Sequence, residues 1–66
     1  MIINVNNQSQ SISEDSSIEK LLAQLQISTN GIAVAVNNEV ISKENWRQLT
    51  LKEKDEVTII QATQGG

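Results

Sequence analysis

The stretch SSIEKLLAQL (residues 16–25) decides the fold, because it is the clearest helix signal in the chain. Its large apolar residues recur at the i, i+3, i+4 and i+7 spacing that places side chains on one helical face. These residues are Ile18, Leu21, Leu22 and Leu25. A helix with one apolar face must pack that face against another layer, and the rest of the chain supplies strands for it.

The ends of this helix carry their own signals. Ser16 and Glu19 have the S-x-x-E spacing of a capping box, which predicts Ser16 as the N-cap. Glu14 and Asp15 add negative charge near the helix N-terminus, where the helix dipole favours it. The segment STNG (residues 28–31) is predicted to stop the helix, with Gly31 free to adopt turn geometry.

Strand patterns lie on both sides of the helix. Residues 1–6 alternate with Met1, Ile3 and Val5 on one face, residues 6–8 are turn-forming, and residues 9–13 are a weaker second strand. After the helix, residues 32–37 form a buried-type strand, and Val40 and Ile41 begin a short return strand. One helical turn capped by Ser42 follows, and residues 57–62 form the last strand.

One helix cannot cover both faces of a sheet. The predicted class is therefore α+β: a β-grasp fold, with a mixed sheet of four to five strands curled around the helix. The first and last strands are expected to run parallel at the centre. All 66 residues are expected to form one domain, with residues 63–66 as a flexible C-terminal tail.

Composition excludes several functions. Five basic and eight acidic residues give a net charge of −3, and Trp46 is the only aromatic residue, which argues against nucleic-acid binding. The N-terminus does not resemble a signal peptide, and no run approaches a membrane span, so a cytoplasmic protein is expected. With no Cys and no His, we expect neither a metal site nor a stably bound cofactor.

Candidate catalytic groups have simpler explanations. Two acidic clusters could support acid–base chemistry. Positions at a helix start and in a solvated turn explain them better, because a chain this small can hardly form the cleft that such a site needs. They comprise Glu14, Asp15 and Glu19, and Glu53, Asp55 and Glu56. Ser16 or Ser17 could carry phosphopantetheine as in acyl carriers, but helix capping is favoured. Trp46 could anchor a partner, although a core position is favoured.

The C-terminus is the remaining candidate. Two of the three glycines are Gly65 and Gly66, where no turn follows that would need them. A frayed end is the simplest explanation. Fully extended, however, residues 63–66 span roughly 13–14 Å, enough to enter a narrow channel in another protein. Glycine also permits close backbone approach there.

With a β-grasp pattern and this terminus, the chain resembles the ubiquitin-like proteins, and within them the ThiS family, the sulfur carriers of bacterial thiamine biosynthesis. The likeness covers essentially the whole chain. It rests on IEKLLAQL (18–25), IAVAVNNEVI (32–41), Trp46, LKEKDEVTII (51–60) and the final QGG (64–66). The family often has a proline near Ser42 and a glycine near Lys54, and this chain has neither.

The resemblance implies a carrier and not an enzyme. A ubiquitin-activating-type enzyme would use ATP-Mg to adenylate the Gly66 carboxylate, a persulfide donor would convert it to a thiocarboxylate, and thiazole synthase would receive the sulfur. Gln64, Gly65 and Gly66 would enter the partners' active sites. A carrier for molybdopterin synthesis and a ubiquitin-like protein modifier are the alternatives.

Partners must also contact the folded part of the chain. On the last strand, Thr58, Ile60 and Ala62 alternate with Val57 and Ile59, which are assigned to the core. Ile60 and Ala62 are thus predicted to face outward, near Ala33 and Ala35 if the strands are neighbours. An exposed apolar patch of this kind predicts a docking surface, and a single scattered surface isoleucine is the alternative.

Overall fold

The computed structural model of the protein describes residues 1–61. Its elements are β1 (Ile2–Val5), β2 (Gln8–Ser11), α1 (Ile18–Gln24), β3 (Ile32–Val36), β4 (Glu39–Ile41), a 3-10 turn (Lys43–Asn45) and β5 (Glu56–Gln61). The strands form one sheet in the order β2-β1-β5-β3-β4, in which β1 and β5 are parallel and the other neighbours antiparallel. This confirms the predicted mixed sheet with its first and last strands parallel at the centre.

The core lies between α1 and one face of the sheet. The helix contributes Ile18, Leu21 and Leu22, all with no exposed area. The rest of the core comes from the alternate strand residues that face the helix, from Ile12 just after β2, and from two residues of the segment before β5. These are Ile3, Val5, Val34, Val36 and Val57, then Ile12, and then Trp46 and Leu51. The apolar periodicity thus predicts the buried positions of the helix and the strands, although Leu25 is only partly buried.

Two hairpins with the same turn sequence flank β5. Asn6 and Asn7 join β1 to β2 with φ of 50° and 67°, and Asn37 and Asn38 join β3 to β4 with φ of 52° and 70°. A two-residue turn with positive φ at both positions is type I′, whose twist matches that of the strands it connects. Asparagine is among the few residues that tolerate this left-handed backbone.

The first asparagine of each hairpin also binds β5 through its side chain. Asn6 Oδ1 accepts from the Ile59 amide at 2.8 Å, and Asn6 Nδ2 donates to the Ile59 carbonyl at 3.3 Å. Asn37 Oδ1 accepts from the Glu56 amide at 3.0 Å, and its Nδ2 donates to Asp55 Oδ1 at 3.0 Å. The central strand is therefore held on both sides by side-chain amides as well as by the sheet ladders.

The start of α1 corrects the sequence prediction. Ser17, and not Ser16, is the N-cap, and its Oγ accepts from the Lys20 amide at 3.2 Å. Ser16 is buried, and its Oγ donates to the Ser13 carbonyl at 2.7 Å. Its own carbonyl accepts from Leu51, which fixes it against the segment before β5. Because of this tertiary contact, the N-cap is one residue later than predicted. Ser16 and Glu19 therefore form no capping box.

The end of α1 also differs from the prediction. The helix has seven residues and ends at Gln24, before STNG. Gln26 adopts φ of 59°, while Ile27 N donates to Leu22 O at 3.0 Å and Gln26 N donates to Ala23 O at 3.1 Å. This pair of bonds is the Schellman motif, with a glutamine where glycine is usual. Gly31, with φ of 69°, serves the turn into β3 instead.

The segment between β4 and β5 is irregular and wraps around the tryptophan. Trp46 is 4% exposed, and its Nε1 donates to the Ile41 carbonyl at 2.9 Å, which confirms the core position. Ser42 occupies the predicted N-cap position of the 3-10 turn but makes no side-chain capping bond. Lys54 adopts φ of 70°, a left-handed conformation that glycine adopts without strain.

The remaining strand predictions are shifted by one or two residues. β2 covers residues 8–11, where 9–13 was predicted, and β4 begins at Glu39. β5 begins at Glu56, and Gln61 is its last residue. The predicted end of this strand at Ala62 lies outside the described residues.

Candidate interaction surface and C-terminal strand

The last described strand, β5, is the central strand of the sheet. β5 lies between β1 and β3, and its last residue, Gln61, is in register with Ile32. The predicted reactive residue Gly66 and its neighbours Gln64 and Gly65 follow five or fewer residues later and lie outside the described residues. The structure therefore places the base of the tail, and the three site residues at its tip stay a prediction.

Ile60, which was predicted as a docking residue, lies on the outer face of β5. Thr58 and Ile60 both point away from the helix, and Ile60 is 57% exposed. In the register with β3, Ala33 lies opposite Ile60 and Ala35 lies opposite Thr58. The expectation that the two alanines neighbour Ile60 is therefore confirmed. Ala62, the other predicted docking residue, is among the residues not described.

Val40 extends this surface and was not predicted. It lies opposite Ala35 in the β3–β4 register and is 74% exposed, the most exposed of the three exposed large apolar residues described. A signal was available in the sequence: a two-residue turn after Val36 makes Val40 face the side opposite Val36. We call the set Ala33, Ala35, Val40, Thr58 and Ile60 the apolar patch.

Two carboxylates of the turn before β5, Glu53 and Asp55, have structural partners. Both oxygens of Glu53 accept from the Ile2 amide, at 3.2 and 3.1 Å. Asp55 Oδ2 accepts from the Lys52 amide at 2.8 Å, and its Oδ1 is the acceptor for Asn37. These contacts tie the turn before β5 to the ends of β1 and β3, in agreement with the interpretation of this cluster as a turn.

The second cluster and the two serines form no catalytic arrangement. Glu14, Asp15 and Glu19 are exposed, and Glu19 lies 3.8 Å from Arg47 in a solvated ion pair. The hydroxyls of Ser16 and Ser17 are engaged in the bonds that fix the helix start. Capping thus accounts for this region, although through Ser17.

Within residues 1–61 there is neither a metal-binding cluster nor a membrane-spanning helix. No group of three or more acidic side chains is arranged to hold a metal ion. Of the helices in the same residues, none has the length and hydropathy needed to cross a membrane.

A mixed five-stranded sheet around one helix, with parallel first and last strands, is the ubiquitin-like β-grasp fold. The crystal structure of a thiamine biosynthesis protein (ThiS) from Geobacter metallireducens superposes with a TM-score of 0.86 at 26% identity, over 100% of both chains. A solution structure of a thiamine biosynthesis protein from the same organism gives 0.81 at 26% identity, over 100% of this chain and 88% of that one.

Sequence comparison gives the same assignment. The sulfur carrier protein ThiS of Escherichia coli (strain K12) is 29% identical over 66 residues, which is 100% of both chains. The model of the ThiS family matches residues 3–66. The chain belongs to the ThiS family.

Proposed function

We propose that the Gly66 carboxylate is the reactive group of this protein and that the fold presents it to partner enzymes in the cytoplasm. Membership of the ThiS family makes the chain a sulfur carrier of thiamine biosynthesis. The observation that carries the proposal is the position of β5. A strand held on both sides leads directly into a tail that ends in Gly65 and Gly66.

The proposed chemistry begins with activation of the carboxylate. A ubiquitin-activating-type enzyme binds ATP-Mg and the tail, and the Gly66 carboxylate attacks the α-phosphate, so that pyrophosphate leaves. The terminal sulfur of a persulfide then attacks the acyl-adenylate carbonyl and releases AMP. A thiol cleaves the resulting acyl disulfide and leaves a thiocarboxylate at Gly66. Thiazole synthase receives this sulfur.

The chain contributes positioning to these steps. Because Gly65 and Gly66 lack Cβ atoms, the backbone can approach the reacting groups closely in a narrow channel. Asn6 and Asn37 hold the β5 backbone at Ile59 and Glu56, which fixes the point from which the tail extends. Holding the reacting group in place lowers the entropic cost of each transfer.

The apolar patch is the proposed docking surface for the activating enzyme. Ile60 lies one residue before the last described strand residue, so contact there places the partner at the base of the tail. Ile60→Asp should keep the fold, because the side chain is exposed, and weaken binding to that enzyme. If Ile60→Asp leaves binding unchanged, the apolar patch is not part of the interface. Ala62 is proposed to continue the same surface.

The decisive experiment deletes Gly66. With activating enzyme, ATP-Mg and a persulfide donor, intact-mass spectrometry of the full-length protein should show a species heavier by one sulfur-for-oxygen exchange. The deletion variant should show none while keeping its unfolding transition, since the deleted residue lies beyond β5. A deletion variant that still gains sulfur would overturn the proposal. Isopeptide-linked conjugates in place of the mass shift would indicate a protein modifier.

A further inference from the structure

The loop between α1 and β3 contains the one Asn-Gly pair of the chain, Asn30–Gly31. Both residues are exposed and lie outside the helix and the strands. Gly31 adopts φ of 69°, and because it has no Cβ, no side chain of its own covers its backbone nitrogen. Asn30 thus has an exposed side-chain amide next to a residue that offers little steric hindrance.

The other six asparagines of the chain are held by the fold and are followed by residues other than glycine. Three of them have their side-chain amide in a hydrogen bond: Asn6, Asn37 and Asn45. Each of the other three is followed by a residue that is paired in the sheet: Asn4, Asn7 and Asn38. An exposed amide, an irregular backbone and a following glycine therefore coincide at Asn30 alone.

We propose that Asn30 is a site of spontaneous deamidation, in which the chain modifies itself with water as the co-reactant. The Gly31 backbone nitrogen loses its proton to water or hydroxide and attacks Cγ of the Asn30 side chain. A bond forms between these two atoms, the bond from Cγ to the side-chain nitrogen breaks, and the leaving nitrogen takes up a proton and departs as ammonia. The product is a five-membered succinimide ring, and no atom is oxidised or reduced.

Water then opens the ring at either of its two carbonyl carbons. Opening at Cγ gives aspartate, whereas opening at the main-chain carbonyl carbon of residue 30 gives isoaspartate. In isoaspartate the backbone runs through the former side chain and is longer by one carbon atom. Both products replace an amide with a carboxylate, so the net charge changes by one unit from −3 to −4. No other ionisable side chain lies within residues 21–38.

The modified residue lies close to the base of the C-terminal tail. Ile32, two residues after Asn30, is in register with Gln61, the last described residue of β5. The longer isoaspartyl backbone is therefore inserted directly before the strand that pairs with the end of β5. The proposal adds a modification site to the protein and is independent of the chemistry proposed at Gly66.

The test uses the full-length protein incubated at mildly alkaline pH and physiological temperature. Ion-exchange chromatography should show a growing acidic species, and peptide mapping by mass spectrometry should place the exchange of NH₂ for OH at Asn30. The rate there should exceed that at every other asparagine by about 10-fold or more, because only Asn30 is followed by a residue without Cβ. No mass change, or a faster change at another asparagine, would overturn the proposal.

The succinimide route has its own signature, since direct hydrolysis of the amide gives aspartate alone. Isoaspartate should therefore accompany aspartate at residue 30. An isoaspartyl methyltransferase with labelled S-adenosylmethionine detects it, because this enzyme methylates isoaspartate and leaves ordinary aspartate unmodified. Aspartate without isoaspartate would overturn the proposed route.

Asn30→Gln is the matched control. It keeps an exposed amide before Gly31, but its longer side chain would have to close a six-membered ring. Formation of the acidic species should slow by about 10-fold or more, because the reacting atoms are less well positioned. An unchanged rate would assign the acidic species to another residue and overturn the proposal. Gly31→Ala should also slow the reaction, and Trp46 fluorescence checks its fold, since alanine is strained at this φ.

Denaturation in urea tests whether the folded loop leaves Asn30 reactive. The rate at Asn30 should change by less than about 3-fold on unfolding, because an exposed loop outside the helix and strands is already accessible. The rates at Asn6 and Asn37 should rise in the same samples, since their hydrogen bonds are lost. If urea speeds the reaction at Asn30 by about 10-fold or more, the native loop protects this residue and the proposal is overturned.

Discussion

The β1–β2 and β3–β4 hairpins have the same construction and different outer surfaces. Each has an Asn-Asn turn, and each uses its first asparagine to bind β5. The outward positions of β1 and β2 are Ile2, Asn4, Ser9 and Ser11, of which only Ile2 is apolar. The outward positions of β3 and β4 are Ala33, Ala35 and Val40, all of them apolar. The asparagine turns that both hairpins share hold the central strand β5. The apolar outer residues that distinguish β3 and β4 place the apolar patch on one side of it.

Removing the asparagines should have the largest effect on stability. Asn6→Ala and Asn37→Ala each lose two hydrogen bonds, at about 0.5–1.5 kcal/mol apiece, and place alanine in a left-handed conformation that costs about 1–2 kcal/mol. The free energy of unfolding of each variant should be lower by about 2–5 kcal/mol. Urea denaturation followed by the fluorescence of Trp46, the only aromatic residue, measures this loss.

Glycine at the same positions separates the two causes. Asn6→Gly and Asn37→Gly keep the positive φ without strain and lose only the side-chain bonds. Their stabilities should lie between those of the original protein and the alanine variants. If the glycine and alanine variants lose the same free energy of unfolding, the left-handed backbone contributes nothing. The hydrogen bonds alone then explain why both hairpins have asparagine at this position.

The difference between the hairpins predicts unequal effects on partner binding. Val40→Asp introduces a carboxylate into the apolar patch and should weaken the complex with the activating enzyme by about 10-fold, because the charge is desolvated there. Ser9→Asp is the matched change on the outer face of β2 and should alter affinity by less than 2-fold, since exposed charges are screened. If calorimetry shows that both variants lose the same affinity, the interface includes the outer faces of both hairpins.

The second asparagine of each turn should give the smallest effect. Asn7 and Asn38 are exposed and have φ of 67° and 70°, and Asn-Gly is the preferred type I′ sequence. Asn7→Gly and Asn38→Gly should each raise the free energy of unfolding by about 0.5 kcal/mol, because glycine relieves left-handed strain. A loss of stability in either hairpin would mean that its second asparagine makes a contribution of its own.

Periodicity was sufficient to predict the core positions on the helix and the strands and the order of elements. It did not predict Leu51, which is buried in the irregular segment before β5. Ile3 and Val5, or Leu21 and Leu22, are buried because spacing alone determines which face they occupy. The alternation of side chains between the two faces of a strand also predicted that Ile60 is exposed. It also holds for Val40, but only with a two-residue turn after Val36, and the strand had been predicted to extend to residue 37.

The helix ends could not be predicted because tertiary contacts select among equivalent local signals. Ser16 and Ser17 are adjacent and chemically identical, and the bond from the Leu51 amide to the Ser16 carbonyl decides which one is buried. Gln26 ends the helix in a conformation that its side chain does not favour, where Gly31 was the stronger local candidate. Local propensity is only a weak prior beside packing.

The position of β5 also has a mechanical consequence. A partner that pulls on the C-terminus along the axis of this strand loads the hydrogen bonds to β3, which lie across that axis, and those to the parallel strand β1, which are slanted to it. The load is therefore shared by both ladders and by the Asn6 and Asn37 side chains at once, and no single bond carries it first. A tail drawn tightly into an enzyme channel would thus extend without peeling the strand from the sheet.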